Sequence, residues 1–230
     1  MYGSDNPNLE PHNDMYITKV TTSKGKDKFL EYVLTNYESM QTPDITPMFV
    51  YKSLNTGETG IIIDAKNTEA LTNFVKQKIR GREEVVSVKV DNLVQPVFLP
   101  RPENDNDLKR FAVTAACDPL ACKGVYKQML AKTSIENVTI TMVAYIMNED
   151  GQHVTMSVIT PDLGTLNAFV EEHVTPMEGI SRITVSELAH LRKLSTKFEW
   201  KRTVQPIAHW ESLIGRDYDD KVYRDVDQGC

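Results

Sequence analysis

The 230-residue chain lacks any long hydrophobic run. No apolar stretch approaches the roughly 18 residues that a membrane-spanning helix requires. The polar stretch 1–14 is not followed by the apolar segment of a signal peptide. We therefore expect a cytoplasmic protein with no membrane partner.

Cysteine is scarce, and its spacing does not suit a metal site. The three cysteines are Cys117, Cys122 and Cys230, and no CxxC or Cys/His ligand spacing occurs. This pattern argues against structural zinc. We predict reduced thiols, with Cys117 buried and inert, and neither a metal nor a cofactor.

The chain has fewer basic than acidic residues, 26 Lys and Arg against 32 Asp and Glu. The formal net charge is −6 and the pI is about 5.4, whereas nucleic-acid binding requires a clustered positive field. The one basic stretch, Lys193 to Arg202, is interrupted by Glu199. We interpret it as a solvated edge and expect no direct nucleic-acid partner.

Sequence motifs for catalysis are absent as well. The chain has no Gly-rich phosphate loop, no GxSxG and no HExxH. We predict no catalytic residue and favour a non-enzymatic role, while leaving an enzyme open. The histidines are scattered, and we expect a surface role for each of them: His12, His153, His173, His190 and His209.

What the sequence does contain is a long internal repeat. Leu71 to Val75 returns as Leu166 to Val170, 95 residues later. A repeat of this length indicates a duplicated domain whose two copies bury their faces on each other. Upstream the offset is 94, which implies a one-residue gap between Gly57 and Leu71. The further matches are Tyr51 with Tyr145, Gly57 with Gly151, Glu83 with Glu178, Val85 with Ile180, Val88 with Ile183, Val90 with Val185 and Leu93 with Leu188.

Each copy shows the element order βαββαβ. Alternating or continuous apolar residues predict the strands, and apolar stripes at helical spacing predict the helices. In the first copy the strands are 15–22, 48–54, 60–65 and 85–90, with a further strand at 94–99, and the helices are 24–38, after Ser23, and one capped by Asn67 or Thr68. In the second copy the strands are 110–115, 138–147, 153–160 and 180–188, and the helices run from Asp118-Pro119 to Ala131 and from Thr160-Pro161 to His173.

This order divides the chain into five segments. We predict a mobile tail at 1–14, a first unit at 15–99, a linker at 100–107, a second unit at 108–190 and a C-terminal extension at 191–230. Within the extension, Phe198 to Val204 could form a strand and Pro206 to Ile214 a short helix.

A βαββαβ unit has an antiparallel sheet with both helices on one face. The other face is bare, and the apolar run Ile61 to Ile63 indicates burial on both sides. Covering some hundreds of Å² of apolar sheet per unit is worth on the order of 10 kcal/mol before entropy. We therefore predict an α+β fold of two tandem ferredoxin-like units, packed sheet to sheet as a pseudo-dimeric α/β barrel.

Two segments resemble a known family. Gly57 to Leu93 and Gly151 to Leu188 each have a Gly turn, an apolar strand, a helix with Leu-x-x-Phe-Val, a short loop and a final apolar strand. Over about 75–80 residues per half they resemble the effector-binding (RAM) domain of the Lrp/AsnC regulators. The resemblance implies a dimeric α/β barrel. Neither copy is preceded by a helix-turn-helix, so DNA binding is not implied.

The resemblance also implies a ligand site around the hairpin turns and the following strand–helix loops. Backbone N–H groups at a helix start favour a carboxylate, and an acidic side chain could hold an amine, which would suit an amino acid. The other interpretation is that these are turn residues and helix caps. The site residues are Gly57, Glu58, Thr59, Asp64, Gly151, Gln152, His153, Thr160 and Asp162.

Three functions follow. The first is a non-enzymatic sensing or assembly module that resembles a stand-alone Lrp/AsnC ligand-binding domain, with a small molecule as its partner. The second is an enzyme, since dimeric α/β barrels also host small monooxygenases and haem-handling proteins. The third is a pair of ACT-type domains with sheets side by side. A homo-oligomer is left open, and Tyr51 and Tyr145 are interpreted as packing residues at equivalent strand positions.

Overall fold

The first repeat folds in the expected order. The computed structural model describes residues 14–23, 28–99, 105, 107–132, 134–148 and 151–195. A strand, a helix and a hairpin are followed by a second helix and a long last strand. The elements are β1 (Asp14–Thr22), α1 (Lys28–Met40), β2 (Ile45–Ser53), β3 (Thr59–Ala65), α2 (Thr68–Phe74) and β4 (Val85–Phe98).

The second repeat has the same order plus one short strand. Both repeats continue their second helix with a wider, π-helical turn, at Val75–Arg80 and Val170–Val174. These segments begin 95 residues apart, so the irregularity belongs to the repeated unit. The elements are β5 (Lys109–Cys117), α3 (Cys122–Ala131), β6 (Ser134–Ile135), β7 (Val138–Asn148), β8 (Gly151–Thr160), α4 (Leu163–Phe169) and β9 (Ile180–Lys193).

The two sheets join at both edges and close into a barrel. The strand order is β4-β1-β3-β2 in the first repeat and β9-β5-β8-β7 in the second, and β2 pairs with β9 while β4 pairs with β7. The short β6 lies outside this ring and pairs with β7. The predicted α+β class and pseudo-dimeric barrel are thereby confirmed. The closed ring differs from the side-by-side sheets expected for ACT-type domains.

The two seams are made by strands that are longer than expected. We predicted separate strands at 85–90 and 94–99, but β4 is continuous because Asp91 and Asn92, residues typical of turns, pair with β1 on one side. Beyond Asn92 the same strand pairs with β7, and Pro96 falls at an irregularity in that register. Likewise β9 pairs first with β5 and then with β2.

The helices cover the outer face of the barrel. Residues of β3 illustrate the two faces: Ile61 and Ile63 join the helix-side core with Phe29 and Leu71, while Ile62 points to the barrel interior. All three isoleucines are buried, as predicted from the continuous apolar run. In the second repeat Leu166 and Phe169 are buried like their counterparts.

The prediction of reduced cysteines is wrong for two of the three. Cys117 and Cys122 form a disulfide, with Cα atoms 5.3 Å apart. The turn between them brings them together: the backbone oxygen of Asp118 accepts from Cys122 N at 2.9 Å, and its Oδ1 accepts from Leu120 N at 2.9 Å. Asp118 therefore orders a turn before the helix, and α3 begins at Cys122, later than Asp118-Pro119 suggested. Cys230 lies outside the described residues.

Helix starts differ from the predictions at two other places. Asn67 caps α2 as expected, since Ala70 N donates to its Oδ1 at 2.9 Å. The helix predicted to open at Thr160-Pro161 begins at Leu163 instead, because β8 continues through Thr160 and Asp162 is the cap. Helix α1 is described from Lys28 onward.

Several predictions concern residues that are not described. The tail at 1–14 apart from Asp14, most of the linker at 100–107, the strand at 198–204 and the helix at 206–214 lie outside the described residues. Among the described helices, none has both the length and the apolar character that crossing a bilayer requires.

Candidate functional site

The predicted site residues fall at two ends of the barrel. At one end, Leu54 N in the β2–β3 hairpin donates to Glu187 O at 2.9 Å, and the Glu187 carboxylate lies 3.2 Å from Lys109 Nζ. Lys109 is directly opposite Thr160. This chain of contacts brings together five predicted residues: Gly57, Glu58, Thr59, Thr160 and Asp162.

The other four lie towards the opposite end. Asp64 is opposite Met15 on β1, Met15 is opposite Leu93, and Leu93 is opposite Ile146. Ile146 in turn is opposite His153 on β8, so these residues lie in one row across five neighbouring strands of the barrel wall. The members of this second group are Asp64, Gly151, Gln152 and His153. The structure thus separates the nine residues into two groups.

Glu58 is held in place by hydroxyl groups of its own hairpin and of β1. Its Oε2 accepts from Thr56 Oγ1 at 2.9 Å, and its Oε1 accepts from Thr21 Oγ1 at 3.4 Å. Gly57 has a φ of +70°, a conformation that glycine tolerates best. The hairpin therefore presents an oriented carboxylate beside the end of β1.

Asp162 and Thr160 have different roles in the helix start that they share. Thr165 N donates to Asp162 Oδ1 at 2.7 Å, and this hydrogen bond lowers the pKa of the Asp162 carboxyl. Asp162 is thus a helix cap, which is the alternative that its sequence position allowed. Thr160 is fully buried, and its Oγ1 has no hydrogen-bond partner among the described residues.

His153 is not a surface residue, contrary to our prediction. It is 8% exposed on β8, between Ala116 and Ile146 on the neighbouring strands. Its place in a strand next to a hairpin suggested exposure, but the interior face of the barrel covers it. Gly151, with a φ of +112°, starts the same strand.

A cluster that the sequence interpretation missed lies on the interior face of the first repeat. The side chains of Lys19 and Asp91 form an ion pair, and Asn148 Nδ2 donates to Asp91 Oδ1 at 3.3 Å. The Asp91 side chain is 7% exposed, while that of Lys19 is 33% exposed. The contact therefore joins both repeats, and the Lys19 side chain remains partly exposed. We call Lys19, Tyr51, Asp91 and Asn148 the interior polar cluster.

Tyr51 belongs to this cluster because its neighbour on β3 is Gly60, which has no Cβ and so leaves space for the Tyr51 ring. Tyr51 and Lys19 are the two cross-strand neighbours of Gly60 on β3. The end of the Tyr51 ring lies over Gly60, where any Cβ would overlap it. Burial, with smaller contributions from the carboxylates of Asp91 and Glu58, raises the pKa of the Tyr51 phenol. The hydroxyl is thus protonated at neutral pH and available as a donor.

The proposed equivalence of Tyr51 and Tyr145 is wrong by one residue. Gly60 and Thr155 are equivalent, and their partners on β2 and β7 are Tyr51 and Ala144. Because β7 pairs with β8 as far as Asn148 while β2 stops pairing at Lys52, the hairpins differ in register. A shift of one residue changes the face, so Tyr145 stacks on Tyr126 of α3, with ring centroids 4.4 Å apart.

The second repeat does not reproduce the ion pair. The positions equivalent to Lys19 and Asp91 are Thr114 and Ser186, as the registers of β1–β4 and β5–β9 show. Thr114 and Thr155 are joined by a hydrogen bond of 3.0 Å between their hydroxyls. The two repeats therefore have the same fold at this place but different side chains: a charged pair in the first and a pair of neutral hydroxyls in the second. A comparison of the two repeats would have found the cluster, because Lys19 and Asp91 are charged where the second repeat has the uncharged Thr114 and Ser186.

The arrangement supplies an ammonium group, a neutral phenol and an amide, with a carboxylate at the hairpin. These groups can hold the polar end of a small molecule through charge-assisted hydrogen bonds. In the described parts of the chain, no group of three or more His, Cys, Asp or Glu residues is placed to hold a metal ion.

Comparison with known proteins shows the fold. No protein-family model matches the chain, and no curated protein matches its sequence. An anthrone oxidase-like protein has a TM-score of 0.52 at 9% identity, over 83% of this chain and 97% of its own. A monooxygenase candidate from Fusobacterium nucleatum has a TM-score of 0.51 at 10% identity, over 81% and 94%. Another, from Lactobacillus acidophilus, has a TM-score of 0.50 at 11% identity, over 80% and 100%.

Proposed function

We propose that the chain binds a small molecule and acts as a sensor or assembly module of the RAM type. The observation that carries this proposal is the interior polar cluster. A buried carboxylate such as Asp91 costs free energy unless its partners compensate for it. Buried charged groups near a barrel mouth are typical of a binding site.

An amino acid or a similar compound suits the charges at this end of the barrel. Lys19 supplies an ammonium group for a carboxylate, and Glu58 supplies a carboxylate for an amine. The two are close, because Thr21, which donates to Glu58, is two residues from Lys19 on β1. This agrees with the ligand class that the family resemblance implies.

A thermal-shift screen over the proteinogenic amino acids tests this function. A ligand at about one hundred times its Kd stabilises the folded state by about 2.7 kcal/mol. For a protein of this size such stabilisation raises Tm by roughly 5–10 °C. If no amino acid raises Tm at millimolar concentration, the sensing proposal fails.

The alternative is an enzyme of the small monooxygenase or haem-handling type. The likeness to an anthrone oxidase-like protein and to two monooxygenase candidates favours it. The Tyr51 phenol, which its raised pKa keeps protonated, could donate a hydrogen bond to a substrate oxygen in such a reaction. An absorbance spectrum would reveal bound haem or flavin, and an oxygen electrode with anthrone as substrate would detect a cofactor-free reaction. If both measurements are blank, this alternative loses its support.

A cytoplasmic location and self-association also remain proposals. Tandem duplication already closes the barrel within one chain, so a homo-oligomer would need a further surface. Light scattering of the purified protein gives the mass in solution. A mass of a single chain would remove the homo-oligomer.

A further inference from the structure

We propose that the interior polar cluster forms one carboxylate-binding site per chain, which takes a small organic carboxylate with an apolar body. This inference rests on the proposed function and specifies where its ligand binds. It also excludes a second site at the pseudo-equivalent place of the second repeat.

The donors of the site converge on the face that Lys19 shares with Tyr51. Lys19 carries three N–H donors on a side chain that is 33% exposed. Lys89 lies directly opposite it on β4 and is exposed. Like charges on directly opposite residues repel, and a bound anion between them would relieve that repulsion. The Tyr51 hydroxyl adds a neutral donor.

Asp91 is a positioning residue in this site. Its carboxylate is already occupied by the Lys19 ammonium group and the Asn148 amide. Its effect is to fix the direction of the Lys19 side chain through this ion pair.

An apolar surface lies one row deeper in the barrel. Ile17, Ile62 and Phe49 are directly opposite one another across β1, β3 and β2 and are 2–7% exposed. Phe49 stacks on Phe98 with ring centroids 6.0 Å apart. A ligand whose carboxylate meets Lys19 would therefore direct its body towards aliphatic and aromatic side chains. This favours an arylacetate over a compact anion such as phosphate.

The second repeat lacks these donors at the matching positions. Thr114 and Thr155 satisfy each other, and Ser186 carries no charge. Arg110 faces the same interior, but it matches Met15 and not Lys19, and its Nη2 is bound to Asp105 Oδ2 at 2.7 Å. Binding should therefore occur once per chain in spite of the pseudo-twofold fold.

Isothermal titration calorimetry with phenylacetate tests the site. Phenylacetamide and 2-phenylethylamine are the matched neutral and cationic probes on the same skeleton. We expect phenylacetate to bind with a stoichiometry of one and phenylacetamide about tenfold more weakly, since the charge-assisted hydrogen bonds are lost. A stoichiometry of two, or equal affinity for acid and amide, overturns the proposal.

A transplant between the repeats locates the binding. The double variant Lys19→Thr with Asp91→Ser reproduces the residues of the second repeat and leaves no unpaired buried charge. It should lose about tenfold or more in phenylacetate affinity. The matched control, Thr114→Ala with Ser186→Ala, should bind as the wild type does. If the double variant fails to fold, the exposed Lys89→Thr provides the test, with a loss of about threefold expected.

The outcomes separate this inference from the proposed function. If amino acids raise Tm but phenylacetate does not bind, the site assignment fails and the sensing function stands. The site assignment also fails, and the sensing function stands, if amino acids raise the Tm of the Lys19→Thr with Asp91→Ser variant as much as that of the wild type. If neither amino acids nor phenylacetate bind the wild type, both proposals fail.

Discussion

Removal of the Cys117–Cys122 disulfide should destabilise the protein measurably. The bridge closes a loop of six residues, counting both cysteines. In the chain-entropy description, opening so short a loop costs about 2 kcal/mol of the free energy of unfolding. For a protein of this length that corresponds to a fall in Tm of roughly 4–8 °C. The variant Cys117→Ala with Cys122→Ala keeps the site apolar and leaves no thiol behind.

Thermal melts followed by circular dichroism measure this effect. The wild type in reductant should melt near the double-alanine variant, and reductant should not change the Tm of that variant. The Cys230→Ser variant controls for the third cysteine. Equal Tm values for oxidised and reduced wild type would refute the entropic argument.

Alkylation tests the bridge itself. Three cysteines with two in a bridge leave one thiol. Denatured, unreduced protein should therefore take up one label by mass spectrometry and reduced protein three. Three labels before reduction would show that the disulfide is not formed in the purified protein.

Two further perturbations test the local geometry. Gly60→Ala places a methyl group against the Tyr51 ring and should cost about 1–3 kcal/mol of unfolding free energy. In a Tyr51→Leu background the same substitution should cost less. Equal costs in the two backgrounds of this double-mutant cycle would contradict the contact. Asp162→Asn tests the ionised cap. Because the folded-state pKa of Asp162 is lowered, its contribution is present above the unfolded pKa near 4 and is lost as the pH falls through the folded value. The stability difference between wild type and variant should therefore shrink on acidification, and a constant difference in urea titrations from pH 7 to pH 2 would refute this.

The repeat could be predicted from the sequence because apolar spacing survives duplication. Leu71 and Phe74 reappear as Leu166 and Phe169 and are buried in both copies. The closure of the barrel followed from the bare face of each sheet. Local patterns decide such features, because burial of one face fixes the period of apolar residues.

The register of the strands and the change of pairing partner along a strand could not be predicted from local sequence patterns. The offset at Gly57 and Gly151 suggested that Tyr51 matches Tyr145, but the lengths of the two hairpins differ. The sequence predicted two strands, 85–90 and 94–99, and only the pairing of β4 with both β1 and β7 shows why a single strand forms. Tertiary context outweighs propensity in strands.

The candidate site shows the same limit. The predicted hairpin residues were read from turn chemistry, and Asp162 indeed caps a helix. Lys19 and Asp91 lie 72 residues apart in sequence; Lys19 is in a predicted strand, and Asp91 lies between two predicted strands. Their ion pair exists because β1 and β4 are neighbours, which the sequence order alone does not reveal.

The two seams have a consequence for dilute solution. A barrel assembled from two separate chains dissociates when its concentration falls below the dissociation constant. Here β2–β9 and β4–β7 join parts of a single polypeptide, so the encounter of the halves is governed by an effective concentration that the connecting chain sets, commonly in the millimolar range. Closure of this barrel is therefore independent of protein concentration, whereas closure of a barrel made from two chains is not.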